Sequence, residues 1–348
     1  KSVDLSKVQA LFFPLMILLI GISNIIVIYV GGNQYIEGKI NIGVIAEFII
    51  YITMLTWPVA VVGWVTSIIQ QAEASQKRIN SFLKSKSSID NYGKILNLKS
   101  SDIKFKNVSF KYPETNLYAL KNINFSIESG KTLGIIGKTG SGKSTILELI
   151  TRSYDVTSGN IYLDSELLSS YDIKSLKSFI SYVPQNSFLF SDTIIENIKF
   201  GNYTAKDSEV NKVAKDSSIH SDISRFKDEY ETLLGERGVN LSGGQKQRIT
   251  IARALLKKSK ILILDDCLSS VDAKTERSIL SNIKKSKKEE TVIIVSHKIS
   301  SVIHADLIIV LDKGIIIEKG THNQLLSIDG FYKKLAQKQL ESIDSIKI

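Results

Sequence analysis

Nine consecutive residues constrain this chain more than any others: Gly137, Lys138, Thr139, Gly140, Ser141, Gly142, Lys143, Ser144 and Thr145. They spell G-x-x-x-x-G-K-S, follow the apolar run 132–136, and precede Ile146, Leu147, Glu148, Leu149 and Ile150, which carry a helical pattern. Strand, glycine loop and helix in that order make a phosphate site. The glycines let backbone N–H groups curl around phosphate oxygens, and the helix N-terminus adds the positive end of its dipole. Lys143 supplies a point charge for β- and γ-phosphates, and the Ser144 hydroxyl is placed to ligate Mg²⁺. A Gly/Ser-rich loop with a chance lysine would lack the flanking strand and helix.

The 348 residues are enough for two or more domains, and their apolar content is uneven. Two long apolar runs fall in the first eighty residues, whereas the remainder has the pattern of soluble α/β sequence. The net charge of +10 could suit nucleic acid or a membrane surface. No lysine cluster is interleaved with aromatics, so nucleic acid is not an expected partner. Lysines flanking apolar runs suit a membrane protein. Cys267 is the single cysteine, so no disulfide framework exists and a reducing compartment is expected for the soluble part.

The first run, 8–30, is interrupted only by Gln9, Ser23 and Asn24. At about 1.5 Å per residue it is long enough for a bilayer core of roughly 30 Å. It is long for a signal peptide and has no small-residue cleavage site after it. The second run, 44–69, contains Glu47, Pro58, Trp57 and Trp64. Pro58 should kink the helix. Glu47, near one end, is expected at the interface rather than facing a pathway. A short polar loop, 31–41, joins the runs, so the pair reads as a hairpin with both ends on one side. Lys1, Lys7, Lys77, Arg78, Lys84 and Lys86 flank those ends against Lys39 in the loop, which places the ends in the cytoplasm. The expected division is a membrane part at 1–84 with the second helix continuing to 84, a Ser/Lys/Asn/Gly-rich linker at 85–101, and a nucleotide-binding domain at 102–340.

Past the linker, a strand pattern at 102–110 leads to Tyr112 and Pro113, and a second strand is expected at 123–127. The glycine loop follows, then Val183-Pro184-Gln185. Next come Leu241, Ser242, Gly243, Gly244 and Gln245, the apolar run 261–264 ending in Asp265 and Asp266, then Asp272 and His297. This ordered set resembles the nucleotide-binding domain of an ABC transporter. The hairpin and the segment 72–79 resemble the last spans of a multidrug-type exporter half-transporter. The implied fold is an α-helical membrane hairpin followed by an α/β P-loop NTPase domain of ABC type, with an antiparallel β subdomain and a helical subdomain.

The residues support that likeness in their own terms. Asp265 closes a buried parallel strand, where α/β sheets place ligands, and its carboxylate suits Mg²⁺ through a bound water. Ser242 and its glycines at a helix start form either another anion site or only a helix cap. The resemblance implies that Tyr112 stacks on adenine, although a strand tyrosine alone is more often packing. It implies that Gln185 contacts Mg²⁺ and water, that residues 241–245 bind ATP held by a partner domain, and that Asp272 orders the dimer interface. His297 is implied as the switch histidine near the γ-phosphate, whereas His304 and His322 read as structural. Residues 235–238 resemble a loop that senses the membrane domain, but Leu233 stands where that motif often has glutamate. Cys267 carries no motif and reads as a buried small residue.

Position 266 departs from the pattern. Hydrolysing ABC domains usually carry glutamate there to polarise the attacking water. A general base must come within about 2.6–3.2 Å of its proton, and a misplacement of about one bond length can cost about 10²-fold. The site on this chain's own loop is therefore expected to bind ATP and hydrolyse it slowly, with Ser242 completing a better site on a partner. The leading reading is an ATP-hydrolysing subunit of an exporter, with ATP and Mg²⁺ as cofactors. Its expected partners are a second half-transporter, membrane lipid, and a small-molecule or lipid-like substrate, in a multi-pass setting of the bacterial inner membrane type with the nucleotide domain cytoplasmic. The alternative is a regulatory ATP-binding subunit with a degenerate site. A DNA-repair ATPase of the same superfamily is disfavoured by the spans and by the lack of a long coiled-coil insertion. Exporters of this type have more spans per half than one hairpin supplies, so the chain is expected to be the C-terminal part of a longer polypeptide or to need another chain.

Overall fold

The computed structural model describes residues 2–85, 89–287 and 289–344, which fall into two compact units, 1–87 and 88–348. Lys1, Lys86 and residues 87 and 88 of the expected linker lie outside the described residues.

The first unit is a helical hairpin: α1 (Ser2–Ile36) and α2 (Ile42–Leu83). Both are longer than the apolar runs that announce them, because the flanking polar residues are helix-compatible and the helix continues through them. Pro58 lies inside α2. The stretches Pro14–Ile36 and Ile42–Leu83 are long and apolar enough to cross a membrane, and none of their most apolar windows is buried in the protein. An apolar surface without a protein partner is what lipid contact demands. Threonine hydroxyls along α2 are spent on backbone: Thr53, Thr56 and Thr66 each donate to the carbonyl four residues earlier. Glu47 accepts from the hydroxyl of Tyr51, one turn on.

The second unit opens with β1 (Ile103–Lys111) and β2 (Tyr118–Ile127), followed by β3 (Thr132–Gly137) and α3 (Lys143–Ile150). Next come β4 (Ser158–Leu163), β5 (Glu166–Leu167), α4 (Ile173–Phe179) and β6 (Ile180–Val183). A helical stretch holds α5 (Ile194–Lys199), α6 (Asp207–Asp216), α7 (His220–Ile223) and α8 (Gly243–Leu256). The remainder alternates: β7 (Ile261–Asp265), α9 (Ala273–Ser286), β8 (Thr291–Val295), α10 (Ile299–Val302), β9 (Leu307–Asp312), β10 (Ile315–Gly320), α11 (His322–Ser327) and α12 (Phe331–Asp344).

These strands form an antiparallel sheet, β2-β1-β4-β5, and a sheet in the order β10-β9-β3-β8-β7-β6. In the latter β9, β3, β8, β7 and β6 run parallel and β10 adds an antiparallel edge. Strands β7 and β8 are buried along their whole length, as their unbroken Ile/Leu/Val runs require. Alternate residues serve opposite faces. Ile261 and Ile263 pack with α3 and the antiparallel sheet, whereas Leu262 and Leu264 pack with the helical layer.

The start of the second unit is pinned to it. Arg152 Nη2 donates to the Asp90 carbonyl at 3.0 Å, Asn91 Nδ2 to Asp172 Oδ1 at 2.8 Å, and Ile95 bridges Tyr171.

Candidate functional site

The parallel strands deliver their C-terminal ends to one place. β3 runs into the glycine loop, β7 ends at Asp265, β8 leads to His297, and β6 leads to Gln185. Gly140 and Gly142 have φ of +77° and +101°, left-handed values that glycine adopts without strain. A Cβ on Gly142 would also lie 2.8 Å from the Ala119 carbonyl oxygen. Gly142 is the N-cap of α3 and, having no side chain, offers no acceptor to the first turn of that helix. The hydroxyl of Ser141 is buried and has no hydrogen-bond partner among the described residues.

Lys143 is buried and folds back on its own loop. Its ammonium donates to the carbonyls of Gly137 and Lys138, each at 2.8 Å. Burial lowers its pKa, and Asp266 and Asp265 oppose that shift. Asp265 is 8% exposed, and burial raises its pKa. Its Oδ2 accepts from the Tyr182 hydroxyl at 2.7 Å. Burial and that bond push the Tyr182 phenol up in turn. Gln185 Nε2 donates to Asp266 Oδ2 at 3.2 Å, and the Asp266 N–H donates to the Val295 carbonyl at 2.9 Å. Asp266 itself sits at φ +44°, a left-handed conformation that aspartate tolerates better than most residues.

Tyr112 stands where β1 ends. Its hydroxyl donates to Glu148 Oε2 at 2.7 Å and lies 3.0 Å from Thr145 Oγ1, so it is tied to α3. Its ring meets Phe110 and Tyr154 edge-on. Burial pushes its pKa up to about 12.

The loop, Lys143, Asp265, Asp266, Gln185 and Tyr112 therefore share one region. Among the described residues, no hydrogen bond joins the side chain of His297 to that group; its carbonyl accepts from Gln339 at 2.8 Å. The run Leu241, Ser242, Gly243, Gly244 and Gln245 makes its contacts elsewhere. Ser242 caps α8 in a reciprocal capping box with Gln245, and Gln245 Nε2 donates to Asp222 Oδ1 at 3.3 Å. Asp272 likewise caps α9, accepting from the N–H groups of Lys274 and Thr275 at 3.1 and 3.0 Å. Beyond the motif, Leu233 is exposed, Cys267 is buried, and His322 Nδ1 lies 2.8 Å from the Tyr332 hydroxyl.

Sequence reasoning missed Tyr182. The available signal was its place three residues before Gln185 on a short strand whose neighbours are all buried.

The donor set suits a hard cation that takes part of its coordination from phosphate. Ser144, Gln185 and Asp265 offer oxygen only, and no group of three or more His, Cys, Asp or Glu among the described residues could hold a metal unaided.

The ABC transporter family profile matches residues 120–269. The chain is 39% identical over 340 residues to the probable multidrug resistance ABC transporter ATP-binding/permease protein YheI of Bacillus subtilis, covering 97% of this chain and 58% of that protein. It is 38% identical over 343 residues to the multidrug resistance-like ATP-binding protein MdlA of Escherichia coli, covering 98% and 58%. A bacterial Atm1-family ABC exporter solved with ATP bound superposes with a TM-score of 0.76 at 31% identity, covering 97% of this chain and 60% of that one. The chain thus spans about 58% of the length of the curated relatives it matches.

Proposed function

Because the chain belongs to the ABC transporter family, we propose that it is the ATP-binding and ATP-hydrolysing part of an exporter that moves a hydrophobic or amphipathic substrate across a bacterial inner membrane. One observation carries this reading: the glycine loop, Lys143 and the carboxylates of Asp265 and Asp266 converge at the C-terminal ends of a buried parallel sheet. Open α/β sheets bind their ligands there.

In this reading the loop N–H groups from Gly137 to Thr145 hold the phosphates of ATP. Lys143 exchanges its two carbonyl partners for phosphate oxygens. Tyr112 offers its ring to adenine while its hydroxyl stays on α3. Ser144, Gln185 and Asp265 would hold Mg²⁺, which would supply neutralisation of phosphate charge. Asp266 orients and polarises the attacking water, and His297 comes up to the γ-phosphate. Residues 241–245 and Asp272, of which Ser242 and Asp272 here cap their own helices and Gln245 also reaches Asp222, serve the ATP held by a second half-transporter in a head-to-tail pair. The hairpin sits in lipid as part of a multi-pass domain, with the nucleotide unit in the cytoplasm. Closure of the paired nucleotide units on ATP swings the helices, and hydrolysis resets them.

The second reading, a site that holds ATP while a partner cleaves it, rests on Asp266. Its side chain is one methylene shorter than glutamate and is already engaged by Gln185. ATP turnover by the full-length protein in its assembled complex separates the two. If this chain's site is slow, Asp266→Glu raises turnover and Asp266→Asn leaves most of it in place. Loss of all turnover in Asp266→Asn, with a partner glutamate variant still active, would establish this chain as the hydrolysing half. Absence of ATP binding by the wild type would sink both.

A further inference from the structure

Strand β6 supplies a side chain to each of the two carboxylates. Tyr182, within the strand, donates to Asp265 Oδ2 at 2.7 Å, and Gln185, just past its end, donates to Asp266 Oδ2 at 3.2 Å. The two bonds differ in kind. Gln185 belongs to the set that would meet cation and water, whereas Tyr182 touches only the carboxylate.

Asp265 needs such support. An aspartate carboxyl has a broad, nearly two-fold torsion, so its two oxygens exchange places easily unless something holds one. The strand fixes the Asp265 backbone by pairing with Val295 but does not fix that torsion. Lys143, whose charge acts on Asp265, does not hold it either, because its ammonium is bound to Gly137 and Lys138. Among the described residues, the Tyr182 hydroxyl is the side-chain hydrogen-bond donor recorded on Asp265.

We infer that Tyr182 is a positioning residue of the divalent-cation site: its hydroxyl holds Asp265 Oδ2 and leaves Oδ1 as the acceptor for a cation-bound water. This rests on the nucleotide-site reading above. Residues that orient a metal-binding carboxylate by hydrogen bonding typically affect cation affinity by about 10–100-fold. Here the carboxylate acts through water, so the lower end of that range applies. The ring has a second neighbourhood: it lines a cleft of about 660 Å³ with Pro184, Phe188 and Arg253. If packing in that cleft were its whole role, losing the hydroxyl would leave cation dependence unchanged.

Tyr182→Phe removes the hydroxyl and keeps the ring. In the full-length protein in its assembled complex, binding of a fluorescent ATP analogue is measured in EDTA and then against rising Mg²⁺. The expected result is a Mg²⁺ midpoint raised about tenfold, with the affinity in EDTA and the melting temperature at their wild-type values. In an Asp265→Asn background the same change should have no further effect. An unchanged midpoint in Tyr182→Phe, an equal loss of affinity in EDTA, or an undiminished effect in the Asp265→Asn background would each overturn the inference. Failure of the wild-type protein to bind the analogue at all would instead overturn the nucleotide-site reading.

Discussion

The side-chain amide of Gln185 donates to the carboxylate of Asp266 across 3.2 Å, joining the loop after β6 to the residue after β7. That bond aims the carboxylate that the proposed chemistry needs. Removing it by Gln185→Ala should cost turnover far more than nucleotide binding measured without Mg²⁺. Small misplacements of a reacting group can cost about 10²-fold, and that is the upper limit expected here. Single-turnover hydrolysis compared with nucleotide affinity checks it. Parallel loss of both would place Gln185 in binding instead.

Gly142→Ala tests the loop by geometry alone. The site has φ +101°, and an added Cβ would meet the Ala119 carbonyl oxygen and Leu120 Cδ2, each at 2.8 Å. Holding alanine in such a backbone conformation costs about 1–3 kcal/mol, and the clash with a strand carbonyl adds to it. The expected outcome is a lower melting temperature and loss of nucleotide binding, read by thermal unfolding with and without ATP. Gly140→Ala, with φ +77° but nothing within 4 Å of the new Cβ, should be milder.

Lys143→Met keeps the length of the buried stem and removes the charge. Hydrogen bonds to charged groups contribute about 1.5–3 kcal/mol, so ATP affinity should fall about 10–150-fold. Equilibrium binding of a labelled nucleotide measures it. Fold stability should change less than affinity, because the loss of the bonds to the Gly137 and Lys138 carbonyls is offset by removal of a charge that burial disfavours.

Much of this was legible in the chain because the features are local. The glycine loop is written in backbone geometry: Gly140 and Gly142 adopt φ values that few other residues accept. The buried strands are written in runs such as 261–264, and the hairpin in two apolar stretches separated by a polar turn. What escaped is non-local. Tyr182 reads as strand packing, and its partner Asp265 lies 83 residues away in sequence. The Tyr112 hydroxyl bonds Glu148, 36 residues on, which the order of motifs does not convey. The ends of the first helix escaped too: apolar content sets 8–30, but propensity carries that helix out to Ser2–Ile36, whereas the polar, helix-compatible residues after 69 already read as a continuation of the second helix, which ends at Leu83. Ser242 and Asp272 show the limit from the other side. Within one chain each is a helix cap, and only a partner could give either a second role.

Cys267 should be silent to thiol reagents in the folded protein. It is 1% exposed, and burial pushes its thiol well above the ordinary range, with Asp265 and Asp266 adding to the shift. The reactive species is the thiolate. Raising the pH to the ordinary thiol range would therefore not expose it as it would a surface cysteine. Maleimide labelling should be negligible in native protein and complete in denaturant, with mass spectrometry as the readout. Labelling of the native protein at neutral pH would show that the end of β7 opens.

Asp172 gives the chain a carboxylate with a definite pH signature. It caps α4 by accepting from the Ser175 N–H at 2.8 Å and accepts from Asn91 Nδ2 at the same distance, so it also clasps the segment that enters the nucleotide unit. The Asn91 bond, then the Ser175 N–H, hold its pKa below the ordinary carboxylate value of 3.8. A lowered folded-state pKa means that the unfolded chain binds the proton first as pH falls. The stabilisation is therefore fully present above the unfolded value and is lost as pH drops through the folded one. Asp172→Ala should be less stable than wild type at neutral pH, and the gap should close below about pH 4. Denaturant unfolding of both proteins across pH 2–7 measures the gap; a gap independent of pH would assign the effect to lost packing instead of to the charged cap.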